Sequence, residues 1–276
     1  MGNFLLGGSA VLDGVMIFSP YRYAIACRKG EDIVVYKESF IPNSFLSHRF
    51  LLSRLPFLRG ILAFLLSLSM SLRAYFISAK LASERGLIGK IFLNFLLAFL
   101  LLLLLPDLLS RSFFPNHFLL GSIFEALLRI VLLISFLLIF SLSPSGKRLL
   151  QYHGAEHKTI NGFEDEAELT PEGLQSYPTI HIRCGTILFA LALLLLFFLY
   201  LPFQNLVLPL RLFCKTLLFP LSLPIAFELV YLALRDERFH FLLVPGIFLQ
   251  LITTKQPTRE QLEVAIAALK EVVGIA

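Results

Sequence analysis

The feature that most constrains the fold of this chain is a series of long stretches that carry no charge. Residues 91–106 read IFLNFLLAFLLLLLLP, and residues 185–210 contain no ionisable side chain except Tyr200. An α-helix needs about 20 mostly apolar residues to cross the hydrocarbon core of a bilayer. Only 16% of the residues are charged, whereas soluble domains have roughly 25%. We therefore expect an α-helical polytopic membrane protein with the lipid bilayer as its first partner.

Four stretches have the length and composition of a transmembrane helix, at residues 90–107, 118–142, 185–203 and 211–234. Residues 56–85 are also apolar, but Arg59, Arg73 and Lys80 interrupt them, so there we expect one interfacial or re-entrant helix. With four crossings, twenty of the 24 Lys and Arg residues fall on the side of the N-terminus and three on the other side. By the positive-inside rule, both termini are expected in the cytoplasm. The basic residues thus report orientation, and no nucleic-acid partner is expected.

The charge pattern divides the chain into six segments. They are the N-terminal region 1–55, the interfacial segment 56–85, the first two transmembrane helices in 86–142, the polar segment 143–184, the last two transmembrane helices in 185–234 and the C-terminal tail 235–276. Two β-rich runs, 23–28 and 33–37, flank the turn sequence 29–32 and predict a β-hairpin. In the tail, Thr258 and Gln261 have the spacing of a capping box ahead of an amphipathic helix. The cytoplasmic portion is therefore predicted to be small and α+β.

Segment 143–184 carries the one concentrated patch of chemistry. His153, Glu156 and His157 stand in the order H-x-x-E-H, the reverse of the zinc-protease motif H-E-x-x-H. Residues four apart project from the same face of a helix, so two imidazoles can hold a divalent ion while the carboxylate acts as general base. Such a triple also occurs by chance on surface helices, but three of the 6 histidines lie between residues 153 and 181. We predict a divalent metal ion, with zinc as the expected metal and Glu156 as the catalytic residue.

The remaining metal ligands are expected from His181 and Cys184, which stand three residues apart just before the third crossing. If only His181 joins the two helix histidines, one position stays open for water, and the site is that of a metal-dependent hydrolase or peptidase at the membrane surface. If Cys184 binds as well, the coordination is closed and the metal is structural. The protein would then be a non-catalytic scaffold or assembly factor for other membrane proteins. The sequence leaves both alternatives open.

Further polar residues are candidates for supporting roles. Glu164 is a spare metal ligand, and Lys158 or Arg183 can steady an anionic substrate or transition state. Within the predicted crossings, ionisable residues are functional candidates by default.

Glu125 and Arg129 are one turn apart and are expected to pair. Glu228 has no partner nearby in the sequence and is therefore a further candidate. A transporter built around these acidic residues is a weaker alternative, because the sequence shows no internal repeat.

Five motifs carry a family resemblance. They are GGSAVLDGVM near the start, LPFLRG at 55–60, YHGAEHKTI at 152–160, HIRCGT at 181–186 and PGIFLQLITTKQPTREQLEVAIAALK at 245–270. In these motifs and their order the chain resembles the YqhQ family of bacterial membrane proteins, a family of unknown function often described as predicted metal-dependent enzymes. The resemblance implies a multi-pass protein of the bacterial inner membrane with the His-Glu-His segment at its centre, and no established reaction.

The chain departs from the family pattern in the N-terminal motif. A glutamate is expected where Asp13 stands, and a more basic run is expected at residues 17–20. Asp13 is a further candidate site residue if this motif meets the metal site, although its side chain is shorter.

Overall fold

The computed structural model of the protein describes residues 6–39, 55–81 and 87–274. Its N-terminal part is a four-stranded antiparallel sheet in sequential order. The strands are β1 (Gly7–Val11), β2 (Gly14–Phe18), β3 (Arg22–Lys29) and β4 (Asp32–Ser39). The predicted hairpin corresponds to β3 and β4 and is confirmed. The prediction missed β1 and β2, whose glycines and short length weaken the alternating pattern that marks a strand.

The helices follow the sheet in the chain. They are α1 (Leu58–Leu81), α2 (Leu87–Phe99), α3 (Leu105–Phe113), α4 (Phe118–Leu142), α5 (Pro144–Glu164), α6 (Pro171–Leu174), α7 (Gly185–Tyr200), α8 (Leu208–Ala233), α9 (Val244–Thr253) and α10 (Arg259–Val273). A π-helical turn at Leu100–Leu104 joins α2 to α3. Short 3₁₀ turns follow α7 at Leu201–Phe203 and precede α9 at Glu237–Leu243.

Five helices in the described residues are long and apolar enough to cross a membrane. They are Leu58–Leu81, Leu96–Phe113, Phe118–Leu142, Gly185–Phe203 and Leu208–Ala233. The sequence analysis counted four because it excluded the first of these. That helix, α1, is continuous for 24 residues, since Arg59 lies in its first turn and Arg73 and Lys80 lie in its second half. The basic residues therefore do not interrupt the helix.

The sheet is packed between helices on both faces. Val15 and Ile17 of β2 point to one face, where they join a core with α5 and α10, whereas Met16 points to the other face and contacts α1. This alternation follows from the period of two along a strand. Helix α10 begins at the predicted capping box of Thr258 and Gln261. The N-terminal sheet, the His-Glu-His helix and the C-terminal helix thus lie on one side of the apolar helices.

Helix α5 is longer than its sequence pattern predicts, since the pattern indicates a helix over 147–160 with a stop at 161–162. The helix begins at Pro144, directly after Ser143, whose side chain accepts from the N–H of Gly146. It continues through the predicted stop to Glu164. Gly162 allows Leu174 to pack against the helix, since a Cβ at this position would lie 2.1 Å from the Leu174 side chain.

Five charged side chains are buried among α3, α4 and α8, and we call this group the buried charge network. Its members are Asp107, Glu125, Arg129, Arg211 and Lys215, none more than 3% exposed. Asp107 accepts from Arg211 (2.7 and 2.8 Å) and Lys215 (2.7 Å), and Glu125 accepts from Lys215 (2.7 and 2.8 Å). The predicted pair of Glu125 and Arg129 is confirmed at 2.6 Å. Arg211 and Lys215 are two of the three basic residues that the four-crossing prediction leaves on the outer side, and they belong to the same network.

The π-helical turn also contributes to this network. A π turn shifts the backbone hydrogen-bond register and can release a carbonyl from its usual partner. The carbonyl of Leu102, inside the turn, accepts a hydrogen bond from Nε of Arg129 (2.7 Å). The guanidinium is thus held at two positions, by this carbonyl and by Glu125.

Candidate metal centre

Helix α5 turns His153, Glu156 and His157 toward the interior of the protein. The two imidazole rings lie with their centroids 4.5 Å apart, as expected for residues one turn apart. Gly154, between them in sequence, allows the chain after α9 to approach the helix, since a Cβ there would lie 2.0 Å from the carbonyl oxygen of Lys255. This close approach brings the C-terminal segment next to the histidines.

Backbone carbonyls orient both histidine rings. Nδ1 of His153 lies 2.8 Å from the carbonyl oxygen of Thr253, and Nδ1 of His157 lies 2.6 Å from that of Thr179. A carbonyl only accepts, so in each ring Nδ1 carries the proton, and Nε2 keeps its lone pair. Hydrogen bonds of this kind fix the tautomer and orientation of metal-binding histidines.

Cys184 completes a group of three donor atoms. Its Sγ lies 3.3 Å from Nε2 of His153, and one donor atom each from His153, His157 and Cys184 all lie within 4.8 Å of one another. Within the described part of the chain this is the one group of three or more metal-ligating side chains. Burial raises the pKa of the Cys184 thiol, and the hydrogen bond that it accepts from the Thr186 hydroxyl (3.2 Å) acts in the opposite direction.

Glu156 lies against this group and is almost fully buried. Its Oε2 is 3.9 Å from Nε2 of His153 and 3.7 Å from Nε2 of His157. Burial raises the pKa of Glu156 to about 8, and burial lowers the pKa of His157 to about 3. Both shifts favour the neutral form, because a charged group loses its hydration when it is buried. In the absence of a bound cation, burial thus favours the protonated carboxyl of Glu156 and the neutral imidazole of His157.

His181 lies next to the group but outside it. Its ring centroid is 5.8 Å from that of His157. Its Nδ1 accepts from the backbone N–H of Arg183 (3.3 Å), and its Nε2 lies 3.7 Å from Oε2 of Glu164. Glu164 in turn forms an ion pair with Arg183. The amide of Gln250 holds the backbone of His181 on both sides, at 2.9 and 3.1 Å.

Three other predicted site residues have partners away from the donor group. Lys158 is buried, and its ammonium donates to carbonyl oxygens that include that of Tyr177 (2.6 Å). Asp13 lies in the turn between β1 and β2 and pairs with Arg148 (2.8 Å).

Glu228, which has no partner nearby in the sequence, forms an ion pair with Arg59 of α1. Its carboxylate also accepts from the backbone N–H of Phe57 (3.0 Å). These contacts give the charge of Glu228 a partner from another helix.

The N-terminal motif does meet the site, but through a glycine that the sequence analysis did not single out. Gly8 of β1 lies so close to Glu156 that a Cβ at this position would be 2.6 Å from its Oε1. The paired glycines at 7 and 8 were the one indication in the sequence, since a close backbone approach often requires glycine. The carbonyl groups of Thr179 and Thr253 could not have been identified from the sequence.

A cavity of about 620 Å³ opens beside the donor group. His153, Glu156 and Cys184 line one part of it, and β1, α1, α7 and α8 line the rest. Its walls are mostly apolar, with side chains such as Phe64 and Phe227. Ligand pockets have volumes of about 300–1,000 Å³, so the cavity has the size of a ligand-binding site.

The donor set fits a divalent metal ion. Two imidazole nitrogens and one thiol are ligands that zinc prefers, and their separations of no more than 4.8 Å allow one ion to bind all three. The hydrogen bonds to both Nδ1 atoms supply the outer contacts that metal-binding histidines need. His153, His157 and Cys184 are therefore the residues that could hold the metal.

Comparison with known proteins gives matches along nearly the whole chain. The family model described as "Protein of unknown function (DUF1385)" matches residues 55–275. The "Uncharacterized protein YqhQ" of Bacillus subtilis (strain 168) is 31% identical over 295 aligned residues, which cover 98% of this chain and 92% of that protein. No solved structure matches the chain.

Proposed function

We propose that this chain, which belongs to the YqhQ family of proteins of unknown function (DUF1385), is a zinc-dependent hydrolase of the bacterial inner membrane, with its site at the cytoplasmic surface. The observation that carries the proposal is the orientation of His153 and His157. Both rings use Nδ1 for a backbone carbonyl. Nε2 of His153 lies 3.3 Å from Sγ of Cys184, and Nε2 of His157 lies 3.7 Å from Oε2 of Glu156. A purely structural packing of buried histidines does not require this combination.

The chain's own residues supply the parts of a hydrolytic site. His153, His157 and Cys184 would hold the zinc, which when bound acts as a Lewis acid toward a substrate carbonyl. The positive charge of the bound metal would favour the ionised form of Glu156, which would take a proton from the attacking water at Oε2 and return it to the leaving group. Water adds across the cleaved bond, so no further reactant is needed. The apolar cavity walls would exclude other water and orient the substrate.

The packing supports four crossings with both termini in the cytoplasm. The sheet and α5 are in contact, so they lie on one side, and an even number of crossings must separate them. The continuous α2 and α3 provide one crossing and α4 provides the other, which leaves α1 on the side of the sheet. In agreement, the first turn of α1 contacts Glu228, near the end of α8. The second half of α1 packs on the sheet through Ala74. This supports the interfacial or re-entrant assignment of α1 despite its length.

A second function is favoured by one observation. His181 lies 5.8 Å from His157 between ring centroids, and a change in its side-chain rotamer would bring a fourth ligand to the metal. The site would then be closed and structural, and the protein would serve as a scaffold or assembly factor for other membrane proteins. The contacts of His181 with Arg183 and Glu164 favour the open, hydrolytic site.

Metal analysis and one substitution test the proposal. Purified protein is expected to contain about one equivalent of zinc, and His157→Ala should retain less than about 0.2 equivalents. Glu156→Gln should keep the zinc and lose cleavage of dye-quenched apolar peptides in micelles by about 100-fold or more. Glu172→Gln, a change at an exposed carboxylate that pairs with Arg259, is the matched control and should behave as the native protein.

The outcomes separate the two functions. Native-like cleavage by Glu156→Gln would contradict the role of Glu156 as general base, and a native protein that cleaves no peptide would contradict the hydrolase. Unfolding of the protein after His181→Ala, with loss of zinc, would support the closed structural site. Native protein without zinc or another transition metal would contradict both functions.

A further inference from the structure

The first strand of the sheet has a free edge. In the described residues no strand pairs with β1 on the side away from β2. An edge strand presents backbone N–H and C=O groups that can pair with another chain. Which residues of β1 present these groups follows from the hydrogen bonds of its neighbours.

The ladder between β2 and β3 fixes this register. Gly14 lies opposite Cys27, and the N–H of Arg28 donates to the carbonyl of Asp13 (2.8 Å). In an antiparallel ladder, a bond between the residues that flank a facing pair means that the facing residues, here Gly14 and Cys27, do not bond to each other. The N–H and C=O of Gly14 therefore point away from β3, toward Val11 of β1.

Alternation along β1 then assigns every residue. Because Val11 bonds to β2, Ser9 and Gly7 also bond to β2, and Gly8 and Ala10 direct their N–H and C=O groups outward. Of these outward groups, the carbonyl of Ala10 accepts a hydrogen bond from the neighbouring hydroxyl of Ser9, at 3.3 Å. The outward edge therefore offers two sets of backbone groups, two residues apart, to an added strand.

The cavity beside the metal centre runs along this edge. Four consecutive residues of β1, from Gly7 to Ala10, line it together with His153, Glu156 and Cys184. Strands pair about 4.8 Å apart, and Gly8 is already in contact with Glu156. A strand added to β1 would therefore pass directly beside the group proposed to perform hydrolysis.

We propose that β1 binds an extended, uncharged polypeptide segment by strand addition and presents its backbone to Glu156 and the metal-binding residues. The inference rests on the proposed hydrolase and names its substrate class as an apolar peptide. An acyl chain would suit apolar walls such as Phe64 and Phe227, but it would offer no hydrogen-bond partners to the outward N–H and C=O groups of the half-buried strand β1 and would displace the water that can reach them. A peptide satisfies both the walls and the edge.

Binding to the full-length Glu156→Gln protein in detergent micelles tests the inference without cleavage. The probe is a capped Ala-Leu-Val-Leu-Ala peptide with a fluorophore on a polar linker, and binding is measured by fluorescence anisotropy. Two further probes carry N-methyl groups on alternate amides, one on the odd and one on the even positions. Only one of these sets can face β1, so we expect one methylated peptide to bind at least about tenfold more weakly and the other to bind nearly as the parent.

A substitution in β1 provides an independent readout. Ala10→Pro removes one outward N–H while the bonds of β1 to β2 remain, since proline is tolerated at a strand edge. We expect about tenfold weaker peptide binding with an unchanged melting temperature. The matched control is Ala10→Ser, which keeps the N–H and should bind as the parent protein.

Several results would overturn the inference. Equal binding of both methylated peptides, or no binding of the parent peptide, excludes strand addition. Binding of fluorophore-labelled dodecanoate to native and Ala10→Pro protein alike, without peptide binding, would identify the cavity as an acyl-chain site. If only one methylated peptide binds weakly but the native protein cleaves no peptide, strand addition is supported and the hydrolase is contradicted. Cleavage by the native protein, together with equal binding of both methylated peptides, would support the hydrolase and contradict strand addition.

Discussion

Replacing Asp107 by asparagine perturbs the balance of the buried charge network. Asp107 is 1% exposed and accepts from both Arg211 and Lys215. In the native network two carboxylates face three cations, whereas in Asp107→Asn the single carboxylate of Glu125 faces all three. Removing one partner of a buried ion pair costs about 3–5 kcal/mol. We expect the free energy of unfolding to fall by about that amount.

A second substitution, Lys215→Met, is expected to change the free energy of unfolding with opposite sign in the native protein and in Asp107→Asn. Lys215→Met alone leaves two complete pairs, Asp107 with Arg211 and Glu125 with Arg129, so it should cost about 1.5–3 kcal/mol, as for a lost charge-assisted hydrogen bond. In the Asp107→Asn background, the same substitution removes a surplus cation and should stabilise the protein. Residues in one network show coupling free energies of about 0.5–3 kcal/mol. Lys215→Met is thus expected to destabilise the native protein and to stabilise the Asp107→Asn variant.

Unfolding in detergent micelles by increasing amounts of SDS, followed by far-UV circular dichroism, measures these differences. The chain contains no tryptophan, so its fluorescence is a weaker probe. Lys147→Met at an exposed position is the matched control and should change the unfolding free energy by less than about 0.5 kcal/mol. If Lys215→Met destabilises Asp107→Asn as much as it destabilises the native protein, the five residues do not act as one balanced network.

Three further predictions concern the site. Gly8→Ala should reduce cleavage at least about tenfold, because the added Cβ would lie 2.6 Å from Oε1 of Glu156 and displacement of a catalytic group lowers the rate by orders of magnitude. The control is Gly89→Ala, where a Cβ would have no neighbour within 4 Å, and it should have native activity. Gln250→Ala should lower the free energy of unfolding by about 1–3 kcal/mol, since it leaves both buried backbone groups of His181 unpaired; an unchanged denaturation midpoint would count against this. A chelator should lower the melting temperature, and added zinc should restore it; a melting temperature insensitive to both would argue against a bound metal.

The apolar helices were the part of the fold that the sequence predicted best. Predicted and observed bounds coincide at Phe118–Leu142 and agree within three residues for the last long apolar helix, Leu208–Ala233. Helices that face lipid need a continuous apolar composition, so their sequences carry a strong local pattern. The strands β1 and β2 were missed because their hydrogen-bond partners, and not their composition, determine them.

The site was predicted in part for the same reason. His153, Glu156 and His157 share one helix, so their proximity follows from local geometry. Cys184 was a candidate, but its choice over His181 depends on how the loop after α6 folds back, which no spacing rule specifies. Arg211 and Lys215 looked like residues outside the membrane because their partner Asp107 is about a hundred positions earlier. Long-range pairs of this kind leave no local pattern.

The carbonyl that holds His153 belongs to Thr253, near the end of the chain. The rest of the centre comes from β1, α5 and the start of α7, so residues from both ends and the middle must meet before it exists. During synthesis, a nascent chain that has not yet reached Thr253 lacks the group that sets the tautomer of His153. The centre is therefore completed only in the finished protein, and a truncated chain, even one already inserted with all its apolar helices, would carry the ligands without the means to arrange them.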